Sequence, residues 1–427
     1  MKVFVSGNYY DDITYSISTE KISSDQGGYE IEMGDEEYQM YLNDELRYFN
    51  WQNRIGRIID IEKNNEMKRE TRMMRKLASI QTIADLQPIH GADAIEVATI
   101  LGWKVVVKRG EFEVGDLCVY CEIDSVMPDR PEFAFLKDKK YRIKTVKLRG
   151  QISQGIAFPI DIVIRALAEH GKSSVGIHEG DDVTELIGVT KWDPPEVASG
   201  NGESMGSFPS QWISKTDEIR IQSIPEIIQE LPLHESYYYI SEKEDGTSAT
   251  FLLDPYGEFY VCSRNLRIRN GDNTYWDMVR KYDIERKLRD WQDVETNRLI
   301  KNVGSSLAIQ AEIIGPGIQK NRLGLKHIEL RIFNIFDVES QTYLSLAEMM
   351  MLAIHWNIPM VKILATDVSF SGNETVDYFI DLAKGTYENG YPREGIVIRP
   401  QKETHSNVLN SRLSFKVINN DFLLKEN

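Results

Sequence analysis

YYYISEKEDGTSATFLL, residues 237–253, carries the motif on which the fold assignment rests. Two aromatic and apolar runs flank an Asp-Gly pair, a pattern that predicts a strand, a tight turn and a second strand. Lys243 ends the first predicted strand, in Lys243-Glu244-Asp245-Gly246. A Lys-x-Asp-Gly pattern occurs by chance in on the order of one in ten chains of this length, so alone it indicates no more than a β-turn.

Five short segments downstream give this lysine a context. They are Ser263-Arg264-Asn265, Gln310–Gly315, IFNIFDVE (332–339), Glu394–Arg399 and Ser414–Ile418. Their order and spacing resemble the nucleotidyl motifs of the covalent nucleotidyltransferases, the superfamily of DNA ligases, RNA ligases and mRNA capping enzymes. The resemblance covers residues 215–427 and implies an α+β, ATP-grasp-like ligase domain with antiparallel sheets and flanking helices.

Each residue type suits attack by a lysine on the α-phosphate of ATP. The attacking amine must be neutral, although a free lysine has a pKa of about 10.4, and burial or nearby cations lower that pKa. Charge that builds on the phosphate oxygens needs positioned cations. Carboxylates hold Mg²⁺ (or Mn²⁺), for which Asp245, Glu312 and Glu394 are the candidates. Lys416 is the candidate cation for the α-phosphate, and Phe333 offers an aromatic face to adenine.

The superfamily resemblance implies further ATP contacts. Arg264 would contact ribose or phosphate, and Glu312 would also bind ribose hydroxyls. The other residues that it assigns to ATP binding are Glu242, Lys243, Gly246, Glu394 and Arg220, the last of these within SKTDEIRIQ (214–222). One position departs from the pattern, because many relatives carry Lys-x-Lys where this chain has Lys416-Val417-Ile418. Lys425 is a candidate to replace the second cation.

The chain ahead of residue 215 divides into three parts. Residues 1–77 form a small appended module of unknown role, which opens with the predicted strand KVFVS and includes a helical pattern from Asp35 to Asn53. Residues 78–190 contain short strand-like runs with Gly, Asp and Pro between them, as in a small β-barrel. Residues 191–214 are rich in Pro, Gly and Ser and are predicted to be a linker.

Periodicity alone does not distinguish an OB-fold from other small β-barrels, but the sequence of residues 78–190 resembles that of one family. Its segments ADLQPIHGADAIEVATILGWKVVVKRGEFEVGDLCVYCEIDSVMP (84–128) and IKTVKLRGQISQGIAFP (143–159) are similar to an RNA ligase family with an N-terminal OB domain. Most DNA ligases and capping enzymes place the OB domain after the nucleotidyltransferase domain. The domain order therefore favours an RNA ligase.

Charge and cysteine content limit partners and compartment. The chain has 427 residues and a net charge of −16, yet residues 137–149, KDKKYRIKTVKLR, hold seven Lys or Arg against one Asp. That segment is either a solvated face or a phosphate-binding surface, with Lys144, Lys147 and Arg149 as candidate contacts. The Cys118–Cys121 pair lies in a predicted strand, where residues three apart point to opposite faces, so we interpret it as structural. With no signal or membrane segment recognised, a cytoplasmic protein is expected.

The resemblance implies an ATP-dependent RNA ligase that works through lysyl-AMP and a 5′-adenylylated strand. It would join a 3′-OH to a 5′-phosphate, at nicks in duplexes with RNA on the 3′-OH side, and we expect a monomer. A DNA ligase, a GTP-using capping enzyme and an inactive end-binding protein are the alternatives. The set of Lys243, Asp245, Glu312, Glu394 and Lys416 argues against the inactive protein.

Overall fold

The computed structural model describes residues 2–6, 16–18, 28–32, 76–171, 176–192, 202–234, 236–292, 300 and 303–426. The first three described segments are strands β1 (Lys2–Ser6), β2 (Ser16–Ser18) and β3 (Gly28–Glu32), with β1 in the centre of an antiparallel sheet. The predicted strand KVFVS is therefore confirmed. The helical pattern predicted from 35 to 53 lies outside the described residues.

The barrel-like region is built from short antiparallel strands. These are β4 (Ala78–Thr82), β5 (Asp85–Pro88), β6 (Ile95–Ile100), β7 (Trp103–Lys108), β8 (Leu117–Cys121), β9 (Ser125–Val126), β10 (Val146–Leu148), β11 (Gln151–Ser153), β12 (Ile156–Pro159) and β13 (Thr190–Lys191). They form two three-stranded sheets, β5-β6-β7 and β12-β8-β4, and the pairs β10-β11 and β13-β9. Helices α1 (Asp161–Glu169) and α2 (Thr184–Ile187) complete the region.

Alternation along the strands places the core of this region. In β7, Trp103, Val105 and Val107 point inward and the residues between them are more exposed. Cys118 and Cys121 lie on β8, as predicted, and both are free and buried. Burial raises the pKa of the Cys118 thiol to about 12. Within the described residues, no cluster of three or more His, Cys, Asp or Glu side chains is arranged to hold a metal ion.

The described residues of the larger region form fourteen strands. They are β14 (Ser204–Ser207), β15 (Ile219–Arg220), β16 (Tyr238–Lys243), β17 (Thr247–Leu253), β18 (Phe259–Cys262), β19 (Leu266–Ile268), β20 (Leu307–Ile314), β21 (Glu329–Asp337), β22 (Thr342–Tyr343), β23 (Ile363–Val368), β24 (Gly395–Pro400), β25 (His405–Ser406), β26 (Ser411–Arg412) and β27 (Phe415–Ile418). One sheet has the order β14-β19-β18-β17-β20-β21-β22, and a second has the order β15-β27-β24-β16-β23. Within these two sheets only the β15–β27 pair is parallel.

Helices cover the outer faces of both sheets. They are α3 (Ile227–Glu230), α4 (Thr274–Tyr282), α5 (Ile284–Gln292), α6 (Leu346–Trp356), α7 (Val376–Leu382) and α8 (Asn420–Glu426). The first sheet packs on α4, α5 and α6, and the second on α3 and α7. Ser345 begins α6 with a capping box to Glu348, and Asn273 caps α4 through the Trp276 amide. The runs 278–292 and 346–356 have helical spacing in the sequence. The second forms α6, and the first is divided between α4 and α5 at Asp283, which has a left-handed φ of 53°.

Within the predicted linker, residues 204–207 form a strand of the large sheet, and residues that follow pack against that sheet. Strand β14 pairs with β19, and Phe208, Trp212 and Ile213 pack with Leu252 and Ala308 on the face of the sheet opposite α4, α5 and α6. Their aromatic and apolar side chains outweigh the Gly and Ser content that suggested a linker. Residues 193–201 lie outside the described part of the chain.

Among the described residues, the two regions touch near Gly102 and near Ile152. Gly102, in the turn between β6 and β7, has a left-handed φ of 80°, and a Cβ there would lie 2.4 Å from Val376 of α7. Beside it, Lys104 lies 3.9 Å from the Asp377 carboxylate. At the second place, Ile152 of β11 is buried against α8. No helix among the described residues is long and apolar enough to span a bilayer.

Candidate active site

A cavity of about 550 Å³ opens between the two sheets. Strand β16 belongs to one sheet and β17 to the other, so the turn that joins them holds Lys243 at the mouth between the sheets. Gly246 completes this turn, and any side chain there would meet the Ile313 carbonyl, 2.4 Å from the Cβ position. The cavity is lined by seven residues predicted from the sequence, namely Glu242, Lys243, Gly246, Arg264, Glu312, Phe333 and Lys416.

Lys243 is held by a carboxylate. Its Nζ lies 2.7 Å from Oε2 of Glu394. Burial lowers the pKa of the Lys243 amine, but the charges of Glu394, Glu312 and Asp245 outweigh burial and leave the pKa above its ordinary value. Burial alone therefore does not lower the pKa of Lys243, because the carboxylates that suit a metal ion also stabilise the protonated lysine.

Glu312 contributes a second carboxylate from β20. Burial, together with the neighbouring Glu394, Glu244 and Asp245, raises the pKa of Glu312 to about 8, and Lys243 opposes that rise. The site thus concentrates negative charge in a place that is poorly solvated. Such a site favours a bound cation.

Lys416 lies on β27 and lines the same cavity. Burial and repulsion by Lys243 and Arg220 lower the pKa of Lys416 to about 7, against the attraction of Asp217 and Glu394. Arg220 is the parallel-strand neighbour of Lys416. Its guanidinium carbon lies 5.7 Å from the Trp103 ring centre, so Arg220 faces the barrel region and does not line the cavity.

Phe333 and Arg264 reach the cavity through local irregularities. The register between β20 and β21 shifts at Gln310 and Ala311, opposite Phe333, and such a bulge re-aims a side chain. Arg264 lies in the turn between β18 and β19, with Nη2 2.6 Å from Oδ1 of Asp217. Its side chain is 48% exposed, which leaves it accessible from the cavity.

Asp245 and Glu242 have partners of their own. The Asp245 carboxylate forms an ion pair with Arg322 and does not line the cavity. Glu242 is buried, and its nearest cation is Arg393, at 3.9 Å. Burial raises the pKa of Glu242, against the lowering effect of Arg393.

The sequence motifs do not identify Tyr387, which connects the nucleophile strand to Glu394. Its buried hydroxyl donates to the Lys243 carbonyl oxygen and accepts from the Glu394 amide, each at 3.1 Å. A lone tyrosine between helix α7 and strand β24 carries no recognisable signal. Asp217 also lines the cavity, and no motif singles it out within the segment SKTDEIRIQ.

The position that departs from the Lys-x-Lys pattern is apolar for a structural reason. Ile418 is 3% exposed and packs with Ile152, Phe422 and Leu423 at the contact between β11 and α8. Lys425, the predicted substitute, lies with its Nζ 5.0 Å from the Tyr391 ring centre and does not line the cavity.

The basic segment of the barrel region is partly used internally. Arg142 pairs with Asp124 at 2.6 Å and stacks on Trp192. Lys144, Lys147 and Arg149 are all exposed. Arg149 and Gly150 have left-handed φ values of 50° and 85°, which form the tight turn of the β10–β11 hairpin. Within residues 143–150, the strand covers only Val146–Leu148.

Comparisons with known proteins match both regions. Residues 77–160 match a family of OB-fold domains, and residues 236–418 match the RNA ligase family. A search of curated proteins gives no match.

Solved structures give a match over the length of both regions. A structure of Naegleria gruberi RNA ligase with pyrophosphate is 34% identical, with a TM-score of 0.65, and the match covers 82% of this chain and 99% of that chain. A mutant of the same ligase with ATP and Mn has 33% identity, a TM-score of 0.65 and coverage of 82% and 99%. Another mutant, with AMP and Mn, has 33% identity and a TM-score of 0.66, and the match covers 83% of this chain and 99% of that chain.

Proposed function

The chain belongs to the RNA ligase family, with an OB-fold domain ahead of the ligase domain, and we propose that it is an ATP-dependent enzyme that seals nicks through lysyl-AMP. The observation that carries this proposal is the position of Lys243, which lines the interior cavity together with Glu312, Phe333 and Lys416. That the Naegleria ligase was solved with ATP, AMP and Mn supports adenine as the base.

In the first step, the neutral Lys243 amine attacks the α-phosphorus of ATP. A phosphorus–nitrogen bond forms, the bond to the β-phosphate oxygen breaks, pyrophosphate leaves and the proton of the amine passes to water. Lys416 offsets the charge that builds on the α-phosphate. Phe333 stacks on adenine, and Arg264 contacts the ribose or phosphate.

The carboxylates near Lys243 suit a divalent cation. Two carboxylates fit Mg²⁺ or Mn²⁺, since such ions take the rest of their ligands from substrate phosphates and water. Glu312 and Glu394 would hold the ion, which supplies charge neutralisation at the phosphate oxygens. Asp245 was a third candidate, but its ion pair with Arg322 favours a different role.

Two further steps would seal the break. A 5′-phosphate oxygen of the nicked strand attacks the phosphorus of lysyl-AMP, the phosphorus–nitrogen bond breaks and the strand carries a 5′-adenylate. A 3′-OH then attacks the phosphorus of the strand's 5′-phosphate and a phosphodiester forms. The phosphorus–oxygen bond of the anhydride breaks, and AMP leaves with its electron pair. RNA on the 3′-OH side, a monomeric enzyme and a cytoplasmic location are parts of the same proposal.

The exposed hairpin of the OB-fold domain is the proposed duplex contact. Lys144, Lys147 and Arg149 are exposed, and the hairpin base, at Ile152, packs on α8 of the ligase domain. Replacing all three cations with alanine should weaken nick binding, and each phosphate contact that is lost should reduce the salt slope by about one. Adduct formation on Lys243 should be unaffected. Unchanged sealing at physiological salt would contradict this contact.

A panel of nicked duplexes tests the choice of strand. Four duplexes with RNA or DNA on each side of the nick are sealed with ATP, and faster sealing with RNA on the 3′-OH side supports the proposal. A preference for DNA on that side would indicate a DNA ligase, and no sealing of any duplex would favour an end-binding protein. Lys243→Ala should abolish sealing of 5′-phosphate nicks.

A further inference from the structure

The loop between β20 and β21 lies over the turn that follows Lys243. Gln319 Nε2 donates to the Gly246 carbonyl oxygen at 3.2 Å. Three residues on, the Arg322 guanidinium forms an ion pair with the Asp245 carboxylate. The Arg322 side chain is 6% exposed, so this pair is shielded from water. Two side chains of one loop therefore fix two consecutive residues of the Lys-Glu-Asp-Gly turn.

Arg322 is itself held on its other sides. Its guanidinium carbon lies 4.9 Å from the centre of the Phe422 ring, on helix α8. Asn389 Nδ2 donates to the Arg322 carbonyl oxygen at 2.8 Å. Helix α8 in turn packs against Ile152 of the OB-fold domain. The guanidinium is thus enclosed between the carboxylate of the nucleophile turn and a ring that contacts the neighbouring domain.

The charges around Lys243 explain why Asp245 needs a partner. Asp245, Glu312 and Glu394 all act electrostatically on the lysine, and Glu394 contacts it directly. A free Asp245 carboxylate would compete with Glu394 for the amine or for a bound cation. Pairing with Arg322 removes Asp245 from that competition and orients the backbone of the turn.

We propose that Arg322 is a positioning residue for the Lys243 nucleophile, which it serves by holding Asp245 away from the amine and by tying the turn to helix α8. The inference rests on the proposed lysine adenylylation. Arg322 does not line the cavity and acts through Asp245, so its loss should slow the reaction without weakening nucleotide binding.

The test is a double-mutant cycle on the full chain with Arg322→Met, Asp245→Asn and the double variant. Single-turnover adduct formation is followed at saturating ATP and Mg²⁺, and the affinity for a non-reactive ATP analogue is measured separately. We expect Arg322→Met to slow adduct formation by about tenfold or more while the analogue Kd changes by less than about twofold. The double variant should be no slower than the slower single variant, because both changes remove one interaction.

Two further variants serve as controls. Lys320→Met removes an exposed cation from the same loop and should leave adduct formation unchanged. Arg322→Lys keeps the charge but loses the planar fork, so its rate should fall between those of wild type and Arg322→Met. Arg322→Lys also keeps the test valid if the methionine variant fails to fold, and a rate equal to wild type would then count against the proposal.

The experiment distinguishes failure of the proposed function from failure of the positioning role. If wild type forms no adduct with ATP, the proposed function itself fails. If wild type forms the adduct and Arg322→Met reacts at the same rate, only the positioning role is overturned. Losses that multiply in the double variant, or an analogue Kd that rises as much as the rate falls, would also overturn it.

Discussion

Tyr387→Phe removes one oxygen atom and with it the bridge between the nucleophile strand and Glu394. The hydroxyl of Tyr387 joins the Lys243 carbonyl to the Glu394 amide, and the ring is 3% exposed. Phenylalanine fills the same space, so no cavity or clash confuses the result. The substitution therefore isolates the two hydrogen bonds.

The expected loss of stability follows from the two backbone groups that the substitution leaves unpaired. A buried backbone carbonyl and a buried backbone amide both lose a partner, and each loss costs about 1–3 kcal/mol. We therefore expect the free energy of unfolding to fall by about 2–6 kcal/mol. If about 1.4 kcal/mol of this appears as misplacement of Lys243 and Glu394, adduct formation slows about tenfold.

Urea denaturation and single-turnover adduct formation measure the two effects. Tyr378→Phe is the matched control, since Tyr378 is 47% exposed on α7 and should lose less than about 0.5 kcal/mol. A Tyr387→Phe protein as stable as this control, with a rate within about twofold of wild type, would refute the bridging role.

Three other perturbations test separate parts of the structure. Phe333→Ala should weaken binding of an ATP analogue about tenfold in calorimetry, because a stacked ring contributes about 1–3 kcal/mol. Phe333→Tyr keeps a ring and should bind the analogue as wild type does. Equal affinities of the alanine variant and wild type would exclude stacking. Ile418→Lys should lower the free energy of unfolding by about 2–4 kcal/mol, since it buries a charge against Ile152. If the variant instead forms the adduct faster than wild type, the new lysine supplies a phosphate contact that wild type lacks. Burial raises the pKa of Asp254 from 3.8 to about 6. The folded state therefore binds that proton more tightly, and the stability that the group contributes is lost as pH rises through about 6, by at most about 3 kcal/mol. Asp254→Asn should remove this loss from denaturation curves measured between pH 4 and 8, and an unchanged pH slope would contradict the raised pKa.

The fold of the ligase domain could be predicted well because its signals are local. The Asp-Gly turn after Lys243 connects two strands, and the helical pattern at 346–356 matches α6 residue for residue. The linker prediction is wrong for residues 204–213, because Phe208 and Trp212 pack on the sheet despite the Gly and Ser content around them. Composition reports average flexibility and does not register two buried aromatic side chains.

The charged residues of the site could be predicted from the sequence, but the residues that they contact could not. Lys243, Glu312 and Lys416 share one cavity, as the motif order suggested. The partner of Asp245 could not be foreseen, since Arg322 lies in a loop between strands and carries no motif. Ile418 shows the same limit, because its apolar character follows from a contact with the OB-fold domain that no local pattern records.

Covalent labelling tests the central claim most directly. The protein is incubated with Mg²⁺ and either ATP or GTP, digested and mapped by mass spectrometry. The account predicts AMP on Lys243 with ATP, no adduct with GTP, and loss of the label in Lys243→Ala. An adduct with GTP alone, or AMP on another residue of the Lys243→Ala protein, would contradict it.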